Sequence, residues 1–117
     1  MREIKFRAKT ATTNRWVYGH YAFIQGHHVI YEDGVPFVIA LNTLGQYIGL
    51  KDRNGVEIYE HDIFRFGGRN YVIMYNLGSV GCFEDDEYFP LEEIFYRNGE
   101  VVGNIYENKE LLEREAE

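Results

Sequence analysis

The sequence predicts a mainly β protein: a small barrel-like fold or strongly curved antiparallel sheets, with a short C-terminal helix. Three observations carry this reading. The chain holds 10 Tyr, 8 Phe and 1 Trp, bulky side chains that suit a pleated surface. Four dipeptides, Asp33-Gly34, Asn54-Gly55, Gly67-Gly68 and Asn98-Gly99, each separate runs rich in Val, Ile, Tyr and Phe. Asn, Asp and Gly tolerate the positive φ of the type I′ turn, whose twist matches that of paired strands. Twelve Gly against 2 Pro fits tight turns rather than long irregular loops.

The elements follow in order. Ile4, Phe6 and Ala8 alternate with Lys5, Arg7 and Lys9, the period of a half-buried first strand. Trp16–Ile24 and His28–Tyr31 form the next runs, broken at Gly26, and Val35–Leu41 follows Asp33-Gly34. Gln46–Leu50 and Val56–Tyr59 flank Asn54-Gly55, and Ile63–Phe66 and Arg69–Tyr75 flank Gly67-Gly68. Val80–Phe83 precedes an acidic loop, and Phe95–Arg97 and Glu100–Ile105 flank Asn98-Gly99. Helix is expected at the C-terminus, where Asn108 can cap and Leu111 and Leu112 give an apolar edge. One further helical turn is expected at Leu91–Ile94, after Pro90. Without a repeat, linker or low-complexity tract, residues 1–117 read as one domain.

Net charge is −7, unevenly spread. Residues 1–59 carry seven Lys/Arg and five Asp/Glu (+2); residues 60–117 carry five and fourteen (−9). The acidic half repels phosphate backbones, so any nucleic-acid site is confined to the N-terminal strands. There Arg2, Lys5, Arg7, Lys9 and Arg15 mingle with Phe6, Trp16 and Tyr18. Cations interleaved with stacking rings suit single-stranded nucleic acid. Strand alternation alone also produces the pattern. No apolar run nears the roughly 18–20 residues that cross a bilayer, and the charged N-terminus lacks an apolar export signal. No membrane partner and a cytoplasmic location are therefore expected.

The chemical candidates are few. His20, His27 and His28 lie near Glu32 and Asp33, and His20 and His28 could meet across a hairpin. Adjacent His27 and His28 point to opposite strand faces, and no metal-ligand motif supports a site. Glu84-Asp85-Asp86-Glu87 lacks the pattern of a calcium loop and reads as a solvated acidic loop. Glu60-His61-Asp62 offers acid/base groups without a visible pocket. The lone Cys82 excludes an internal disulfide and reads as a packed residue rather than a nucleophile, because nearby acids disfavour a thiolate. No catalytic residue, metal or cofactor is predicted.

Three segments together carry a resemblance: Met1-Arg2-Glu3-Ile4-Lys5-Phe6-Arg7-Ala8; Gly45 to Ile63, reading GQYIGLKDRNGVEIYEHDI; and Val102-Gly103-Asn104-Ile105-Tyr106-Glu107-Asn108. With Trp16-Val17-Tyr18-Gly19, they resemble the YopX family of small phage and prophage proteins along nearly the whole chain. The resemblance implies a mainly β, self-associating, phage-encoded protein in the bacterial cytoplasm, with no established activity and no catalytic residues to carry over. The family commonly has Gly where His61 stands, and often Trp-Asp where Lys9-Thr10 stand. Either the turn at His61 is not left-handed or His61 is strained.

The central motif has two readings. In the first it is a frame: Gly49, Asp52, Asn54 and Gly55 build a tight connection with Asp52 in an Asx-turn. Leu50, Ile58 and Ile63 fill the core, Glu60 and Asp62 bond the next loop, and Gly103-Asn104 ends a strand. In the second, Tyr47, Lys51, Asp52, Glu60 and Asp62 form an exposed recognition surface. The expected function is a non-enzymatic, homo-oligomeric phage accessory module that binds a phage or host protein. The alternative is single-stranded nucleic-acid binding through Arg2, Lys5, Arg7, Arg15 and Trp16.

Overall fold

A computed structural model describes residues 3–76, 79–84 and 87–112. Arg2, Asp85, Asp86 and residues 113–117 of the expected C-terminal helix lie outside the described residues, as does the side chain of Cys82. The chain is mainly β and divides into two compact units, one ending at Gly49 and the other beginning at Leu50.

The first unit contains β1 (Phe6–Lys9), β2 (Trp16–Ile24), β3 (His27–Glu32), β4 (Val35–Val38) and most of β5 (Gly45–Lys51). Its strands lie in the antiparallel order β4-β3-β2-β1-β5. Gln25 and Gly26 take φ of 50° and 82°, and Asp33 and Gly34 take 51° and 81°, so both hairpins turn through two left-handed residues. This is the type I′ requirement that the Asp-Gly dipeptide announced. Strand alternation places Phe6, Ala8, Val17, Tyr21, Ile30 and Phe37 on one face. Ala8, Val17, Ile30 and Ile39 form the core, with Phe6, Tyr21, Phe37 and Leu44 packed against it. After β4 a Thr10–Ile39 bridge ties the chain back to the end of β1, and the Ala40 N–H donates to the Lys9 carbonyl (2.9 Å). The sheet is thus strongly curved but does not close into a barrel. A 3-10 turn at Leu41–Thr43 leads into β5. The Thr43 hydroxyl fixes it, accepting from the Lys9 N–H (2.9 Å) and donating to the Ala40 carbonyl (2.6 Å).

The second unit contains β6 (Glu57–Tyr59), β7 (Asp62–Phe66), β8 (Arg69–Asn76), β9 (Ser79–Glu84), β10 (Glu87–Pro90), helix α1 (Glu93–Asn98) and β11 (Glu100–Asn104). A five-stranded antiparallel sheet runs β10-β9-β8-β7-β11. Gly67 and Gly68, at φ of 60° and 80°, turn β7 into β8. Ile58, Ile63, Phe64 and Ile73 are fully buried, whereas Leu50 is half-buried. Phe95 of α1 packs on Phe66 (centroids 4.4 Å) and edge-on to Tyr71 (5.9 Å), which also meets Phe89 (5.9 Å).

Two local expectations are corrected. Phe95–Arg97 is helix, not strand. Glu93 opens it, Arg97 closes it, and the two form an ion pair one turn apart (2.6 Å). Asn98-Gly99 is therefore the end of a helix rather than a hairpin turn. Gly99 is required for space: a Cβ there would stand 2.3 Å from the Phe64 ring and 2.7 Å from the Arg65 carbonyl oxygen. The acidic stretch is flanked by a strand pair, β9 with β10, running from Glu84–Glu87 to Gly81–Pro90. The C-terminal helix is seen as a 3-10 turn at Lys109–Leu112.

Candidate functional site

The chain's polar motif lies in the second unit and works mainly on its own backbone. Asp52 is buried, 6% exposed. Its Oδ1 accepts the N–H groups of Asn54 (2.8 Å) and Val56 (2.9 Å), and its Oδ2 accepts that of Val101 (2.9 Å). The first bond is the Asx-turn that the sequence predicts. The third reaches across 49 residues and joins the turn to β11. Around it the Arg53 N–H donates to the Gly99 carbonyl (3.1 Å), and Arg53 and Asn54 side chains both reach Glu100. One carboxylate thus satisfies three backbone donors, which would otherwise lose water on burial without compensation.

Asp62 is buried more deeply, at 1% exposed, and its Oδ2 accepts the Tyr59 N–H (2.8 Å). Between these residues His61 takes φ of 73°, so the turn is left-handed in spite of its side chain. Its backbone is held on both sides. The N–H donates to the Ile73 carbonyl (2.7 Å), and its carbonyl accepts the Ile105 N–H (3.0 Å). The ring Nδ1 shares a hydrogen bond with the Tyr106 hydroxyl (2.8 Å), and the two rings meet edge to face. These bonds offset the strain of a left-handed non-glycine residue.

Asn104 organises the last turn. Its Oδ1 accepts the N–H groups of Tyr106 (2.9 Å) and Glu107 (3.0 Å), and its Nδ2 donates to Glu107 Oε1 (3.1 Å). Asn104 Oδ1 thus satisfies two backbone donors of the turn, and Glu107 holds the amide in place through its Nδ2. Asn108, read as the cap of a C-terminal helix, instead accepts the Asn104 N–H with its side chain (3.1 Å). Gly103 lets it come close, for a Cβ there would stand 2.5 Å from Asn108 Oδ1.

This geometry corrects the exposed surface expected of Tyr47, Lys51, Asp52, Glu60 and Asp62. Tyr47, Asp52 and Asp62 are buried, at 5%, 6% and 1% exposed, because two of them serve backbone groups and the third takes an inward strand position. Lys51 is exposed and Glu60 half-buried.

The basic N-terminal group is also engaged within the chain. Arg7 is buried and its guanidinium stacks over Trp16 at 4.7 Å, where Lys9 also lies at 5.5 Å. Arg15 pairs with Glu32 (3.2 Å) and stacks on Phe37 (4.9 Å). Lys5 pairs with Glu3 (3.7 Å) and sits over the Tyr47 ring (5.5 Å). Burial removes Arg7 from the phosphate-facing surface that the alternative needs.

The histidines do not converge in the hairpin. His20 pairs with Tyr31 and His28 with Phe23, which puts the two imidazoles on opposite faces. His28 Nδ1 instead meets the Tyr21 hydroxyl (2.5 Å), with Phe23 against its ring (4.7 Å). Among the described residues no group of three His, Cys, Asp or Glu is placed to hold a metal ion. Among them, too, no helix is long and apolar enough to cross a membrane.

The family model for YopX protein matches residues 5–113, and so spans both units, Asp52, His61 and Asn104 included. The chain belongs to the YopX family. A solved structure is similar to this YopX chain: the crystal structure of protein EF1440 from Enterococcus faecalis, with a TM-score of 0.63 and 28% identity. The match covers 97% of this chain and 100% of that one. No curated protein matches.

What sequence reasoning missed is the set of exposed apolar side chains. Phe23 (62%), Val35 (51%), Val38 (46%) and Ile24 (38%) lie in the β2–β4 part of the first unit, and Ile4, Leu41, Val56 and Ile94 stand exposed outside it. The signal was legible: from Trp16 to Leu50 only Glu32 and Asp33 carry charge. By strand alternation Ile24 and Val38 lie on the face opposite the core, whereas Phe23 and Val35 share the core face and stand exposed next to the hairpin turns.

Proposed function

We propose that this YopX-family chain is a phage or prophage accessory protein that acts in the host cytoplasm as a non-enzymatic, self-associating, protein-binding module. One observation carries the reading: apolar side chains stand exposed on β2 and β4, where a folded surface gains by being covered. A second supports its non-enzymatic part. Asp52, Asp62 and Asn104, the groups with the look of acid/base chemistry, direct side-chain oxygens to backbone N–H groups. The test has two parts. Light scattering at micromolar concentration is expected to give a multiple of the chain mass, and a strict monomer contradicts self-association. Recovery from infected cells is expected to bring down a phage or host protein, and recovery of this chain alone contradicts partner binding. The nucleic-acid alternative has weaker support, since Arg7 is buried and Arg15 is paired with Glu32. It predicts single-strand binding that falls steeply with salt.

A further inference from the structure

We infer that the outer face of β2–β4 docks a second copy of this chain about a two-fold axis; this rests on the reading that the protein self-associates. The face is defined by register. Ala22 pairs with Val29 and Val29 with Val38, so three apolar side chains form one row across three strands. Ile24 stands two residues beyond Ala22 on the same face, and His20 pairs with Tyr31 in the next row. Val29 is buried at the centre of the row, while Val38 and Ile24 remain exposed beside it.

Two features choose the occupant. The first is the backbone edge. The Ile39 N–H donates to the His28 carbonyl, and alternation from that bond turns the backbone groups of Val38 and Pro36 away from β3. The outward Val38 carbonyl already accepts the Ala11 N–H (2.9 Å), and Pro36 has no N–H to offer. β4 is therefore a poor template for an added strand from any partner. What is offered is a side-chain face.

The second feature is charge. The named residues of this face include no Lys, Arg, Asp or Glu, in a chain that is 26% charged with a net charge of −7. A partner selected electrostatically would need an acidic or basic counterpart here. Two copies of an acidic chain meet with least repulsion through their uncharged surface. A two-fold interface sets the same patch against itself, and a neutral apolar row is complementary to its own copy. Ile24 and Val38 are the exposed anchors of that contact.

Sedimentation equilibrium of the wild type, Val38→Lys, Ile24→Lys and Val56→Lys tests this. Val56 is a comparably exposed apolar residue (47%) of the second unit and serves as the control. The wild type is expected to associate. Each substitution on the face enters a two-fold contact twice and is expected to weaken association by about tenfold or more, with Val56→Lys unchanged. Circular dichroism confirms the fold, and Val38→Thr, of similar shape, replaces any variant that fails to fold. A wild type that stays monomeric overturns self-association itself. A wild type that associates, with face variants associating equally well or Val56→Lys equally weakened, overturns this face and leaves the broader reading standing.

Discussion

The β2–β4 hairpins and the Asp52–Asn104 region treat their side chains in opposite ways. In the hairpins the strands are joined by ladder bonds and two-residue turns, and the core is a small apolar cluster. Their outer rows are neutral and partly exposed. In the Asp52–Asn104 region the turns are held by side chains: Asp52, Asp62 and Asn104 all serve backbone donors. Polar, motif-like residues there build the scaffold, whereas the chemically bland strands leave surface to be covered. A dense run of acids, amides and histidine is thus a poor guide to function when each oxygen has a backbone N–H within reach.

The largest expected effect lies in the polar region. Asp52→Ala removes the acceptor for three backbone N–H groups, one of them 49 residues away. At about 1–3 kcal/mol for each donor left without a partner, and with incomplete additivity, a loss of about 3–5 kcal/mol is expected in urea unfolding. A loss below 1 kcal/mol would show that Asp52 does not hold the turn. Next comes Gly99→Ala, whose methyl group meets the Phe64 ring and the Arg65 carbonyl oxygen. Overpacking of this kind costs about 1–3 kcal/mol, and a variant as stable as the wild type would contradict the close approach.

His61 gives a smaller and more informative test. His61→Gly relieves the left-handed backbone but loses the bond to Tyr106, so the net change is expected to stay within about 1 kcal/mol. Tyr106→Phe alone is expected to cost about 1 kcal/mol, and nothing further once His61 is Gly. Equal costs in both backgrounds would show that the two rings are not coupled. The smallest effect on stability belongs to the hairpin face. Val38→Lys is expected to change unfolding free energy by about 0.5 kcal/mol or less while shifting the associated state. A large stability loss instead would make Val38 part of the core rather than surface.

Much of the first unit was legible. Trp16–Ile24 is a strand from end to end, and Asp33-Gly34 turns as its φ preferences require, as does Gly67-Gly68 in the second unit. Short-range chemistry decides those features, so sequence shows them. Phe95–Arg97 reads as strand because aromatic residues favour strands, while the segment is helical with Phe95 seated on Phe66 and Tyr71, contacts that only the fold supplies. The Asx-turn of Asp52 was legible because its partners are two and four residues away. Its burial was not, because the third partner, Val101, is brought there only by the fold. The sequence leaves His61 two options, and the structure takes the left-handed, strained one.

Amide hydrogen exchange at low and high protein concentration compares the two regions most directly. Protection across β2–β4, residues 16–38, is expected to rise with concentration, while protection from Asp52 to Asn108 does not change. Protection that rises in the Asp52–Asn108 region instead, with β2–β4 unchanged, would contradict the assignment of the hairpins as the associating surface and the polar region as scaffold.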